Sequence, residues 1–278
     1  MTHDKTYSHL EKIGRYGILV PIICFMGYPL VWMILCSLKT NLEIFVNPWG
    51  FPSKFLYKNW EQAWVVGRLG RYYLNSIVVT VASVCLVLVV SSPAAFAFAR
   101  LKFKARDFFL YLFLMGLVLA PILVLIPLYK LMRDIKLLNT YAGLILPYTG
   151  WGLALSIYLL RSFFLAIPEE LQDAARIDGC SVFGIFWRIM LPLIKPALLT
   201  VAMINAINYW NELLLALIFM QKTEMRTLPA GLIFFSGQYV TNYSLVFAGL
   251  SIAIFPMLIV YFIFQRRVIA GILIGALK

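Results

Sequence analysis

The sequence predicts an all-α fold, a polytopic membrane bundle of six transmembrane helices with one long loop on its basic side. Three observations carry this. The 278 residues are 62% hydrophobic and 13% charged, where a soluble domain has about 25% charged residues. Uncharged runs long enough to cross a bilayer recur along the chain. The net charge of +12 sits at the flanks of those runs, as in membrane proteins, rather than on one soluble face, as in nucleic-acid binders. The same composition excludes a disordered chain and argues against an ordinary soluble enzyme.

The first four runs are 17–38, 74–99, 108–129 and 137–160. The first is longer than a signal-peptide core and no small-x-small site follows it, so it is predicted to be an anchor. Residues 196–221 are apolar except for Glu212 and form the fifth run. Residues 228–265 are uncharged but too long for one helix. Pro229, Gly231, Gly237 and the polar string Gln238, Tyr239, Val240, Thr241 and Asn242 interrupt the first half. That half is predicted as a partly buried outer segment, and 243–265 as the sixth span. Six spans put both termini on one side. Arg100, Lys102, Lys104 and Arg106 crowd the end of the second run, which places that end and both termini in the cytoplasm. The predicted organisation is a cytoplasmic tail at 1–16, a transmembrane domain at 17–265 that includes the loop 162–192, and a cytoplasmic tail at 266–278.

Pro21, Pro29, Pro93, Pro121, Pro127, Pro147 and Pro256 lie inside these runs. A mid-helix proline costs about 3 kcal/mol in water. In a bundle, neighbouring helices re-satisfy the freed carbonyl, so this many kinks suits a transporter better than a simple anchor. Cys24, Cys36, Cys85 and Cys180 form no CxxC pair, and His3 and His9 lie in the N-terminal tail. No metal site and no catalytic residue is predicted. Trp49, Phe51, Phe55, Tyr57, Trp60 and Trp64, between the first two spans, read as interfacial anchors or as a contact surface for another protein.

The loop after the fourth span carries the densest signals. Pro168 suits a first helical position, and Glu169 and Glu170 favour the positive end of the helix dipole. Gly179 is a natural left-handed stop. Ser181 can cap a second helix, in which Phe183, Phe186, Trp187 and Met190 make one apolar face. A polar helix, a glycine corner and an amphipathic return form either a plain surface hairpin or a docking element for a cytoplasmic partner. A DNA-reading element is disfavoured by the acidic first helix and the membrane tether.

In the fifth span, Asn205, Asn208, Tyr209 and Glu212 recur at helical spacing on one face. Polar groups at bilayer depth face protein or a water-filled cavity. Three readings stand: a lining for a sugar pathway, interhelical hydrogen bonding, or a proton-carrying role for Glu212.

Asp173, Ala174, Ala175, Asp178, Gly179, Ile189, Leu191 and Pro192 together resemble the cytoplasmic EAA loop of ABC importer permeases, with Asp173 where the motif usually has Glu. The resemblance covers nearly the whole chain. Asn75-Ser76, the segment from Ala95 to Arg100, the one from Ile126 to Tyr129, the one from Leu138 to Pro147, Trp210-Asn211-Glu212 and the segment from Arg226 to Pro229 are similar to the carbohydrate branch, and within it to the six-span, maltose-type subunit. The tail from Gly271 to Lys278 is similar as well. The resemblance implies a type I permease of a bacterial or archaeal inner membrane. It implies a second, different permease, two cytoplasmic ATPase subunits and an extracytoplasmic sugar-binding protein as partners, with lipid around the bundle and no nucleic acid. Glu170, Asp173, Ala174, Ala175, Asp178 and Gly179 would then couple to the ATPase. No G-x-x-x-x-G-K-[ST] phosphate loop occurs in the chain, so ATP and Mg are expected on partner subunits and no cofactor here. The competing function is an ion-coupled secondary transporter using Glu212.

Overall fold

The computed structural model describes residues 3–233 and 242–276. Gly237 and the polar string at 238–241 lie outside the described residues, as do 1, 2, 277 and 278 of the two tails. Among the described residues the regular structure is helical throughout, as a chain that must satisfy its own backbone in lipid requires.

Three helices contain stretches that are each long and apolar enough to cross a bilayer. They are α1 (His3–Ser37), α4 (Leu69–Arg100) and α7 (Ala142–Ala166). The short helices α2 (Asn41–Val46) and α3 (Lys58–Val65) lie between the first two. The third predicted run is two helices, α5 (Arg106–Met115) and α6 (Pro121–Asp134). Pro121 is the cause. It lacks an N–H and drives the preceding residue out of helical geometry; Ala120 is extended, with φ −68° and ψ 134°.

The loop is helical as predicted. It comprises α8 (Glu169–Ile177), α9 (Val182–Ile185), a wide turn at Phe186–Met190 and α10 (Leu191–Leu193). The chain then bends by 74° into α11 (Lys195–Asn211), with Pro192 and Pro196 on either side of the bend. The bent pair Val182–Leu193 and Lys195–Asn211 is apolar enough to count as one further span. The fifth run breaks again at Glu212, which is extended, before α12 (Leu214–Phe219). Then come α13 (Leu228–Ile233) and α14 (Tyr243–Ala276). Asn242 opens α14 by accepting a hydrogen bond from the Leu245 N–H at 3.3 Å.

The chain forms two compact units, 1–69 with 232–254 and 70–231 with 255–278. In the first, the end of α1 is closed by Asn59, whose Nδ2 donates to the carbonyls of Ser37 (2.8 Å) and Lys39 (2.9 Å). Lys39 is wholly buried, and its Nζ donates to Asn47 O at 2.8 Å and Pro48 O at 3.2 Å just past α2. A cation there faces the negative end of the α2 dipole. Glu43 accepts from both the N–H and the hydroxyl of Ser53 at 2.7 Å, which holds its carboxyl below the usual range. Trp49 and Phe51 are exposed, and Trp49 stacks on Tyr28 of α1 with ring centres 6.1 Å apart.

The second unit is built on α7, which touches a core at each end. One core gathers Phe96, Leu160, Phe164, Phe186 and Met190, and the other Leu144, Tyr148, Leu215 and Phe219. Near the second core, Asn75 ties three parts of the chain together. Its Nδ2 donates to Glu224 O (2.8 Å) and Arg226 O (2.9 Å), and its Oδ1 accepts from Tyr141 Oη at 2.8 Å. Next to it, Ser76 Oγ accepts from the Leu228 N–H at 2.8 Å. Asn139 Oδ1 accepts from the Lys222 N–H at 2.7 Å. Three of the segments singled out in the sequence (75–76, 138–147 and 226–229) therefore meet in one hydrogen-bonded knot.

Asn75 is 1% exposed, so Asn75→Ala strands a hydroxyl and two carbonyls and should cost about 2–3 kcal/mol. Asn75→Asp should be at least as harmful, because it sets a carboxylate against two carbonyl oxygens. Thermal unfolding of the detergent-solubilised protein, followed by exposure of 222–228 to protease, checks both expectations.

Candidate functional site

The loop site begins where α7 ends. The last carbonyls of a helix have no partner within it, and here an arginine from another helix supplies one. Arg100, at the end of α4, donates through Nη2 (2.6 Å) and Nε (3.2 Å) to Phe164 O, and through Nη2 to Ile167 O. Its Nη1 lies 3.4 Å from Glu169 Oε1. The Arg100 side chain is 2% exposed and that of Glu169 is 84% exposed. The carbonyl contacts therefore hold the arginine, while the ion pair is weak and solvent-screened. Sequence reasoning counted Arg100 only as an orienting charge. The signal that it does more is its place as the last residue of an apolar helix whose end must pack against another.

Two residues later α8 starts. Its inner face is Gln172 and Ala175, both buried, and Ala175 joins the core of Phe164 and Phe186. Glu170, Leu171, Asp173, Ala174 and Asp178 are exposed, and Ile177 is 87% exposed. Asp173 lies 3.4 Å from Arg176 on the surface. Gly179 has φ +78°. It allows the Cys180 N–H to reach back to Ala175 O at 2.9 Å and the Gly179 N–H to Arg176 O at 3.0 Å. A Cβ on Gly179 would meet nothing within 4 Å. Backbone geometry alone requires the glycine. Ser181 Oγ accepts from the Gly184 N–H at 3.2 Å and starts α9 as predicted. The six proposed coupling residues thus sit together, five on an exposed face or corner and Ala175 beneath them. An exposed patch of Leu171, Ala174 and Ile177 flanked by Glu170, Asp173 and Asp178 offers an apolar ridge with an acidic border.

The four polar residues of the fifth run are divided. Asn205 is 2% exposed, and its Nδ2 donates to Ser156 Oγ on α7 and to Val201 O, both at 2.9 Å. Tyr209 is buried and stacks on Tyr148 of α7, with ring centres 5.3 Å apart and planes 11° from parallel. Gly152 of α7 makes this approach feasible, since a Cβ there would collide with the Tyr209 hydroxyl and Asn205 Oδ1. Glu212 caps the break it sits in. Its Oε1 accepts from the Leu215 N–H at 2.8 Å, and its Oε2 from the Ala216 N–H at 3.1 Å and Tyr148 Oη at 2.6 Å. Asn208 is exposed beside Ile207. It lies about 60° around the helix from Asn205, enough to leave the buried face. The structure therefore brings Asn205, Tyr209 and Glu212 together against α7 and sets Asn208 apart. Among the described residues, no group of three or more His, Cys, Asp or Glu side chains is placed to hold a metal ion.

The family model described as binding-protein-dependent transport system inner membrane component matches residues 88–273. The chain is 38% identical over 269 residues to the probable ABC transporter permease protein YurM of Bacillus subtilis, covering 96% of this chain and 89% of that protein. It is 36% identical over 255 residues to the arabinooligosaccharides transport system permease protein AraQ of Halalkalibacterium halodurans, covering 90% of this chain and 91% of that one. The fold is similar to a chain in the crystal structure of a bacterial ABC transporter involved in the import of the acidic polysaccharide alginate. That similarity has a TM-score of 0.79 and 22% identity, covering 96% of this chain and 98% of the other. With the exposed loop helix and its glycine corner in place within the matched region, the chain belongs to the family of inner-membrane permease components of binding-protein-dependent ABC transport systems.

Proposed function

We propose that this chain is one of two different permease subunits of an ATP-driven carbohydrate importer, and that its loop 162–192 docks on a cytoplasmic ATPase. The observation that carries the proposal is the α8 corner. A short helix, tied at its base by Arg100, presents an apolar ridge and three acids to solvent. Two ATPase subunits, holding ATP and Mg, would lie below the two permeases, and an extracytoplasmic sugar-binding protein would deliver the substrate. Closure of the ATPase pair would tilt the bundle between inward-open and outward-open states, a two-state switch biased by ligands. The AraQ relative, named for arabinooligosaccharide transport, supports a carbohydrate, and a di- or oligosaccharide in particular.

Counting α5–α6 and the bent stretch through α11 each as one broken span, with α14 as the last, gives six crossings of the bacterial or archaeal cytoplasmic membrane. The domain then runs over 17–265, with the tails 1–16 and 266–278 in the cytoplasm. Asn208, exposed on α11, is the residue of the polar face best placed to meet a sugar. Asn205, Tyr209 and Glu212 shape the wall behind it. Both oxygens of Glu212 accept hydrogen bonds, which favours a capping role over proton carriage.

Three outcomes test this. At Gly179, uptake in cells should fall in the order Gly, Asn, Ala, Pro. Asn tolerates a positive φ, Ala pays about 1–2 kcal/mol for it, and Pro cannot adopt it and lacks the N–H that bonds Arg176 O. Asp173→Lys should leave the chain inserted in the membrane but prevent the ATPase from co-purifying; normal uptake with ATPase attached refutes the docking role. Glu212→Gln should retain ATP-dependent uptake in proteoliposomes. Transport driven by a proton gradient with no ATPase present, abolished by that substitution, would instead establish the secondary transporter.

A further inference from the structure

A second feature of the same unit lies away from α8 and from the polar face of α11. A groove of about 630 Å³ runs between α4 and the helix after Ser181, lined by Val89, Pro93, Phe96, Leu101, Phe183 and Trp187 among others. The Ser92 hydroxyl in its lining donates to Leu88 O at 2.7 Å. Beyond the Trp187 indole N–H, the lining side chains offer a sugar no free hydrogen-bonding group. Yet Phe183 is 72% exposed, Val89 68% and Trp187 51%, so something apolar belongs there.

Its dimensions narrow the choice. From Val89 to Leu101 the α4 side spans twelve residues, or about 18 Å, close to the ~15 Å of one leaflet of a ~30 Å hydrocarbon core. A methylene chain, about 4–5 Å across at ordinary carbon contact distances, can lie along a groove of that length.

Charge at one end narrows it again. Leu101 lines the groove, and the next residue, Lys102, lines a separate cavity of about 430 Å³ with Phe103, Ala105, Arg106, Asp107 and Phe108. Arg106 and Asp107 pair at 3.1 Å, while Lys102 and Lys104 are exposed. Of the four cations from Arg100 to Arg106, Arg100 is buried against the α7 carbonyls and Arg106 is paired, so the exposed charge is that of Lys102 and Lys104. An apolar channel one leaflet deep thus ends at a cationic rim.

We propose that the groove is a binding site for an anionic glycerophospholipid of the leaflet at the Arg100–Arg106 end. One acyl chain lies along α4 between Phe96 and Trp187, and the phosphate rests at Lys102 and Lys104. The lipid would wedge the amphipathic return of the loop against α4.

The full chain, in the assembly it forms in the membrane, tests this when it carries a photoreactive benzoylphenylalanine at exposed position 183. In vesicles of equal phosphatidylglycerol and phosphatidylcholine, illumination should yield a lipid adduct enriched in phosphatidylglycerol. Lys102→Gln and Lys104→Gln should each reduce that enrichment about fivefold, as expected for a basic residue at a membrane surface. An adduct to another polypeptide, or a lipid adduct without preference for the anionic headgroup, overturns the proposal. Mass spectrometry of lipid retained by the unsubstituted chain and by Lys102→Gln gives a second readout that needs no photoreactive group. Equal phosphatidylglycerol retention by the two overturns the proposal as well.

Discussion

Backbone groups freed inside a bilayer have no water to turn to, and this constraint organises the structure. At three places where a helix breaks or ends, a named side chain takes up the loose amide or carbonyl. Glu212 does so for the amides that open α12. Arg100 does so for the carbonyls that close α7, and Asn75 for the turn between α12 and α13. Each of these residues is polar in an apolar setting and would be costly there unpaired. The polar residues of the membrane domain are therefore first a repair kit for irregular backbone, and irregular backbone is what lets a bundle change shape.

The loop was legible in the sequence because its signals are local. Pro168, Gly179 and Ser181 set the start, stop and restart of helices within their own turns, and the structure has all three at those places. Long helices were legible too, since length and hydropathy are properties of one segment. Breaks were harder to read. Pro121 reads as a kink, but whether it bends a helix or ends it depends on what the chain does from 116 to 120. The roles of Asn75 and Arg100 were hidden for a different reason. Their partners lie 149 and 64 residues away, and no periodicity within a segment reports a contact between segments. The polar face of α11 divides in the structure. A helical wheel put Asn208 beside Asn205, yet the 60° between them is enough to separate buried from exposed once Gly152 fixes how closely α7 approaches.

The knot at one end of α4 and the arginine at the other share a single helix. Asn75 to Arg100 is 25 residues, or about 38 Å, and the span contains Pro93. Each end is hydrogen-bonded to a different loop, so α4 acts as a tie rod. A load applied to the α7–α8 junction would be borne along its axis toward the turn at 224–228. Pro93 removes one backbone hydrogen bond from this rod without ending it.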